Sequence, residues 1–218
     1  MRIIDLAAST AIAFALFQSP SAHAQADNKT ASSEAAYTQV IEKRTTDIIA
    51  ALALTDPAKI SAVHDAIIAQ YRALHDWQAA NEEKLNTLAK QKDAAAKEQT
   101  AQIMAGRKAL HGPFLAKLSA QLTPEQVQIV KDKLTYGKVK FTYDGYLSQN
   151  PNLTAEEKAK VLAMLKDARE EAMDGCSAEE KTAVFKKYKG RINNYLAAQA
   201  KAAKASGAAV PLETQPPK

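Results

Sequence analysis

Seven side chains in the C-terminal half have the types that recognise a polar ligand: Tyr136, Tyr143, Tyr146, Arg169, Lys187, Arg191 and Asn194. A tyrosine ring offers an apolar face for stacking and a polar tip. Lysine, arginine and asparagine supply hydrogen bonds to hydroxyls or carboxylates. Arg169 is the most informative of the set. With about 100° per residue along 155–174, Val161, Leu162, Leu165 and Ala172 share one face and Arg169 falls inside that arc. A guanidinium on an apolar face needs a carboxylate or several carbonyls, because an unpaired buried charge is very costly. Two readings follow: an internal ion pair with Asp132 or Asp144, or an arginine turned toward a ligand. The stretch "FKKYKGRINNYL" (185–196) adds Lys187, Arg191 and Asn194 on one side of a helix whose other side carries Phe185, Tyr188, Ile192, Tyr195 and Leu196. Lys186, Gly190 and Asn193 form a third line. An interior glycine weakens a helix by about 1 kcal/mol relative to alanine, so a close approach at Gly190 by a helix, a second subunit or a ligand is expected.

Other chemistries find less support. His64-Asp65 and His75-Asp76 look like paired metal-ligand dipeptides, but the two histidines are about 16 Å apart at the helical rise and cannot share an ion. They read as histidines at the edge of an apolar stripe. His111, before Gly112-Pro113, has no companion at ligand spacing. There is no glycine-rich phosphate loop, no Gly-x-Ser-x-Gly elbow and no Cys/His cluster. The sequence therefore points to no metal and no cofactor. An enzyme would have to be built from tyrosine and arginine with an acid such as Asp144 or Asp174.

The elements that would position these residues are helices. The chain is rich in alanine and lysine and poor in glycine. Leu122-Thr123-Pro124-Glu125-Gln126 offers a threonine cap, a proline at the first helical position and a glutamine to close a capping box. Leu153-Thr154-Ala155-Glu156-Glu157 and Ser177-Ala178-Glu179-Glu180 repeat the form, and Asp56 before Pro57 is a fourth cap. The resulting expectation is an all-α, single-domain multi-helix bundle of about six or seven helices, near 34–53, 57–92, 94–110, 124–135, 155–174 and 178–200. Gly112-Pro113 should break the third, with Phe114, Leu115 and Leu118 on a short continuation. Residues 135–152 are ambiguous. Val139, Phe141 and Tyr143 alternate like a strand, while Tyr136, Val139, Tyr143 and Tyr146 fit a helix. No second strand offers itself to take up the backbone hydrogen bonds, so helix is preferred.

The ends set the context. Residues 1–24 read as a signal peptide: Arg2, an apolar run over 6–17 and Ala22-His23-Ala24 before Gln25. A flexible lead-in over 25–33, a helical domain over 34–200 and a disordered, proline-rich tail over 201–218 follow. The expected locale is periplasmic or secreted, with no integral membrane span in the mature chain. The signal segment holds one arginine and one aspartate, so the net charge of +5 is kept after cleavage. Export removes nucleic acid as a partner for this basic chain; a glycan or a polypeptide remains. Cys176 is the single cysteine, so no internal disulfide forms. It reads as a small apolar residue ahead of a helix, in a monomer or weak dimer.

From about Leu122 to Leu196 the chain resembles a family of secreted bacterial proteins catalogued as a domain of unknown function. The matching residues are Lys131-Asp132, Thr135-Tyr136-Gly137, Thr142-Tyr143 with Tyr146, Pro151-x-Leu153-Thr154, Ala168-Arg169-Glu170, Ala172-Met173-Asp174 and, most specifically, Lys187 through Leu196. The resemblance implies an association with polysaccharide-degrading systems. Thr182 and the alanine-rich tail depart from the family pattern. Leu122-Thr123-Pro124-Glu125-Gln126 is also similar to the periplasmic Spy and CpxP group. The expected function is an exported helical binding or accessory module acting in a polysaccharide context. The alternatives are a periplasmic chaperone-like or structural protein that binds polypeptides, and a carbohydrate-active lyase or hydrolase.

Overall fold

The computed structural model describes the backbone of residues 22–205 and the side chains of residues 33–205. Most of the expected signal peptide and most of the proline-rich tail lie outside the described residues. The chain divides into two compact units, residues 1–40 and 41–218, with the division inside the first helix. In the first unit, helix α1 (Ala22–Leu52) runs through the 25–33 stretch expected as a lead-in, and Thr38 Oγ1 donates to the Glu34 carbonyl one turn back at 2.9 Å.

The second unit holds the rest of α1 and seven more helices: α2 (Pro57–Lys90), α3 (Ala94–Lys108), α4 (His111–Ser119), α5 (Pro124–Leu134), α6 (Lys138–Gln149), α7 (Ala155–Met173) and α8 (Ala178–Ala205). No strand occurs among the described residues. The fold is an all-α multi-helix bundle, as the capping pattern predicts. No helix among the described residues is long and apolar enough to cross a membrane.

The helix starts obey local chemistry. Asp56 accepts from the amides of Ala58 and Lys59, and Asp93 from Ala96. Thr123 with Gln126, and Thr154 with Glu157, close reciprocal capping boxes. The break between α3 and α4 falls at Ala109-Leu110, which leaves Pro113 in the first turn of α4, where its missing N–H costs nothing.

Two apolar clusters hold the helices together. One joins Ile48 and Leu52 of α1, Val63 and Ile67 of α2, Phe114 and Leu118 of α4, Val127 and Val130 of α5, and Met173 at the end of α7. The other joins Val139 and Tyr146 of α6, Val161, Leu165, Ala168 and Ala172 of α7, and Phe185 and Ile192 of α8. Each fully buried aliphatic side chain contributes about 1.5–3 kcal/mol. Because α7 belongs to both clusters, it is the member against which α5, α6 and α8 all pack.

The ambiguous segment 135–152 is helical. Val139, Thr142 and Tyr146 bury at spacings of three and four, while Phe141, on the strand-like alternation, is 80% exposed. The turn from α5 into α6 uses two successive left-handed residues, Tyr136 (φ 59°) and Gly137 (φ 64°). It lets the Gly137 amide reach the Asp132 carbonyl at 2.8 Å. For tyrosine this conformation costs roughly 1–2 kcal/mol.

Gly190 corrects an expectation. It lies exposed on α8, and a Cβ there would meet nothing within 4 Å, so no helix crosses at that point. The close approach is at Gly175, between α7 and α8. There a Cβ would stand 2.9 Å from Lys181 Cγ and 3.2 Å from the Ala172 carbonyl oxygen.

Candidate functional site

Helices α2, α3, α7 and α8 enclose a groove. One part, about 390 Å³, is lined by Trp77, Gln78 and Glu82 of α2, Met104 and Arg107 of α3, Glu171 of α7 and Glu180 and Val184 of α8, among others. The adjoining part, about 620 Å³, shares Met104, Arg107 and Glu171 and adds Lys108, His111, Gly112, Glu170, Asp174 and Tyr188. The three shared residues make the two parts continuous.

The floor of the second part is a chain of matched charges. His111 Nδ1 pairs with Asp174 Oδ1 at 2.8 Å, and its Nε2 is 3.6 Å from Glu170 Oε2. The same Glu170 oxygen accepts from Lys131 Nζ at 2.7 Å, while Oε1 is 3.3 Å from Arg169 Nη2. Arg169 Nη1 donates to Asp132 Oδ1 at 2.7 Å, and Nη2 also donates to Gln128 Oε1. Hydrogen bonds with Asp174 and then Glu170 lift His111 from its ordinary 6.5 to about 9, against the opposing effect of burial. Burial alone would raise Glu170, but His111, Lys131 and Arg169 outweigh it and hold the carboxyl at about 2. At neutral pH the imidazolium and the carboxylate are both fixed in their charged forms.

The upper wall carries aromatic residues braced by cations. The Arg107 guanidinium lies 5.1 Å from the centroid of Trp77 and donates to Glu180 at 2.8 Å. Arg191 lies 4.7 Å from the centroid of Tyr188. Lys187 Nζ reaches Glu171 Oε1 at 2.5 Å, tying α8 to α7 at the rim. Burial and the Glu171 carboxylate push the Tyr188 phenol above its ordinary value.

The seven residues singled out from sequence are distributed over several places. Lys187 and Arg191 stand at the rim of this groove through Glu171 and Tyr188. Arg169, 4% exposed, is spent on the internal ion pair with Asp132, the first of the two partners expected for it. Asp144 is held instead by Lys140 one turn away, at 2.6 Å. Tyr146 is buried, with its hydroxyl donating to Asn193 Oδ1 at 2.7 Å and 3.1 Å from the Lys189 carbonyl. Tyr143 packs partly buried against the second apolar cluster, and Asn194 is exposed on α8. Tyr136 lines a different cavity, beside α1 and α5. Sequence reasoning missed Trp77, Arg107, His111 and Glu170 as neighbours. Its available signal was the spacing of Glu170, Glu171 and Asp174 on the outward face of α7.

His64 and Cys176 are engaged by neighbouring residues. His64 Nε2 pairs with Glu42 at 2.8 Å and Nδ1 with Asp65 at 3.2 Å. The Cys176 thiol is half-buried, 3.5 Å from the Leu74 carbonyl. Among the described residues no group of three or more His, Cys, Asp or Glu side chains is arranged to hold a metal ion.

An all-helical bundle with a charge-matched groove defines the class. The chain belongs to the family described as "Protein of unknown function (DUF3826)", whose model matches residues 38–209. A search of the curated proteins finds no match.

Proposed function

We propose that the protein is an exported binding module that holds a segment of uncharged glycan in the groove between α2, α3, α7 and α8. The observation that carries this reading is the composition of the groove wall. Trp77 and Tyr188 stand among Gln78, Asn86, Arg107, Glu171 and Glu180, so aromatic surface and both donors and acceptors line one groove. Such a wall suits a ligand that presents both apolar ring faces and hydroxyls. The cations and carboxylates are largely paired with each other, which favours a neutral chain over a strongly charged one. The export signal expected at the N-terminus and the resemblance to proteins of polysaccharide-degrading systems agree with this reading.

The electrostatics favour binding over catalysis. A general acid or base works best with a pKa near the operating pH. His111 at about 9 and Glu170 at about 2 are far from it on opposite sides. The raised Tyr188 phenol is likewise a poor base. Polypeptide capture would call for a broad apolar concavity. The exposed large apolar side chains among the described residues are Val40, Tyr136 and Phe141, and none of them lines the groove.

The test is affinity electrophoresis of the mature chain through gels containing neutral polysaccharides, followed by calorimetry on any that retard it. Glu171→Gln should weaken binding about tenfold, as expected for loss of a charge-assisted hydrogen bond worth about 1.5 kcal/mol, with the thermal midpoint little changed. Trp77→Ala should weaken it at least as much. Unretarded migration through every neutral polysaccharide, or wild-type affinity in Glu171→Gln, would overturn the reading.

A further inference from the structure

A second cavity, about 530 Å³, lies between α1 and α5 at the strained turn into α6, and it has a different charge balance from the groove. Its polar lining includes Arg44, Asp47, Asp132 and Lys133, with Tyr71 and Tyr136 as its aromatic residues. Counted naively the charges cancel, but both acids are already committed. Asp47 pairs with Lys43 at 2.8 Å, and Asp132 pairs with Arg169 at 2.7 Å. Among the described residues neither Arg44 nor Lys133 forms an ion pair. A third cation stands close by, outside the cavity lining. Lys181 is 5% exposed, donates to the Leu134 carbonyl at 2.9 Å, and lies 5.8 Å from the centroid of the Tyr136 ring. This buried ammonium has a carbonyl and a ring for company and forms no ion pair among the described residues; burial and Arg44 disfavour its charge more than Asp174 and Glu180 favour it.

The backbone at the site supports the same conclusion. Tyr136 holds a left-handed conformation that tyrosine rarely adopts, and its side chain remains 48% exposed at the cavity mouth. Strain of this kind persists where surrounding structure fixes it, and it marks binding turns more often than bulk surface. From these features we propose that the cavity formed by Arg44, Lys133, Tyr71, Tyr136 and Gly137 is a separate site for a carboxylate borne on a six-membered ring. The carboxylate takes the fork of Arg44 and the ammonium of Lys133, and the ring lies along Tyr136. This site is independent of the neutral-glycan groove.

The ring can be a sugar or an aromatic one, and two probes separate these sources. Amide resonances of the full mature chain are titrated with glucuronate and with benzoate, against glucose and benzyl alcohol as uncharged controls. At least one acid should shift the Gly137 and Lys133 amides to saturation, with affinity at least tenfold above its uncharged control. Glucuronate alone identifies a uronic-acid site and benzoate alone an aromatic-acid site. Arg44→Gln with Lys133→Gln should reduce that affinity at least tenfold, and Lys133→Gln alone several-fold. Both side chains are exposed, so the variants retain the wild-type melting profile. Glu171→Gln in the groove should leave acid binding unchanged. Equal binding of acid and control, saturation centred on the groove, or full affinity in the double variant would each overturn the proposal.

Discussion

The two charged regions flanking α7 are built from similar residues and end in opposite states. Beneath the groove, Arg169, Lys131 and His111 each meet a carboxylate at 2.7–2.8 Å, and Glu170 is shared among all three. At the turn into α6, Arg44 and Lys133 face a cavity whose acids are already taken, and the buried Lys181 lies behind it, near the Tyr136 ring. The first region resembles the interior of a folded protein, where charge is matched before it is buried. The second leaves positive charge unmatched at a place where the backbone is also strained. Charge density alone does not distinguish a structural network from a site; the count of uncommitted partners does.

The sharpest way to break the comparison is to remove a partner from the matched region. Asp132→Ala leaves a 4% exposed guanidinium with Gln128 and a 3.3 Å contact to Glu170. It should cost about 3 kcal/mol in urea unfolding, the usual result of orphaning one member of a buried pair. Arg169→Met should cost less, because Asp132 and Glu170 are partly exposed and can turn to water. Equal losses, or a neutral Asp132→Ala, would mean that the network does not hold α5 to α7.

One pair of the matched region could be read from the chain, because its cause is local. The placement of Arg169 inside an apolar arc follows from helical periodicity. The cost of a buried charge then left two readings, an internal pair with Asp132 or Asp144 or a ligand-facing arginine, of which the pair with Asp132 is the one formed. The helix at 138–149 followed from asking where a lone strand would send its hydrogen bonds, although Phe141 and Tyr143 suggested otherwise. The groove was not legible in this way. His111 meets Asp174 across 63 residues, and Arg107 meets Glu180 across 73, so neither pairing leaves a spacing to detect. The cavity at Tyr136 depends on a backbone angle that no periodicity reports.

Glycine illustrates the same limit and gives the next prediction. The interior position of Gly190 suggested a crossing, yet its surroundings are empty; Gly175, in a short turn, is where the chain is tight. Gly175→Ala should therefore destabilise by about 1–3 kcal/mol, because Lys181 Cγ and the Ala172 carbonyl must both give way. Gly190→Ala should stabilise by about 0.5–1 kcal/mol, since an exposed helix interior gains propensity and loses no contact. Thermal denaturation reads both, and the opposite signs are the test. If both variants lose stability, some contact at Gly190 exists that the fold does not explain.

The smallest effect separates the two regions by pH. His111 is raised from 6.5 to about 9, so its contribution is complete below pH 6.5 and disappears as pH rises through 9. Glu170 is lowered from 4.5 to about 2, so its contribution is complete above pH 4.5 and disappears as pH falls through 2. The matched network is therefore at full strength between pH 4.5 and 6.5. Lys181 behaves in the opposite sense. Burial first, and Arg44 second, lower it from 10.5 to about 8, so its charge costs stability below pH 8 and that cost is relieved as pH climbs toward 10.5. Wild-type stability should decline from pH 6.5 and flatten or partly recover above pH 8. His111→Gln should remove the decline, with an amplitude on the order of 1 kcal/mol. Lys181→Met should remove the recovery and gain about 1–2 kcal/mol at pH 7, because a buried ammonium that forms no ion pair among the described residues is replaced by an apolar chain of similar length. A decline that survives in His111→Gln would place the titration elsewhere. A Lys181→Met variant less stable than wild type at pH 7 would show that its carbonyl and ring contacts outweigh the desolvation, and the charge imbalance at Tyr136 would then be structural after all.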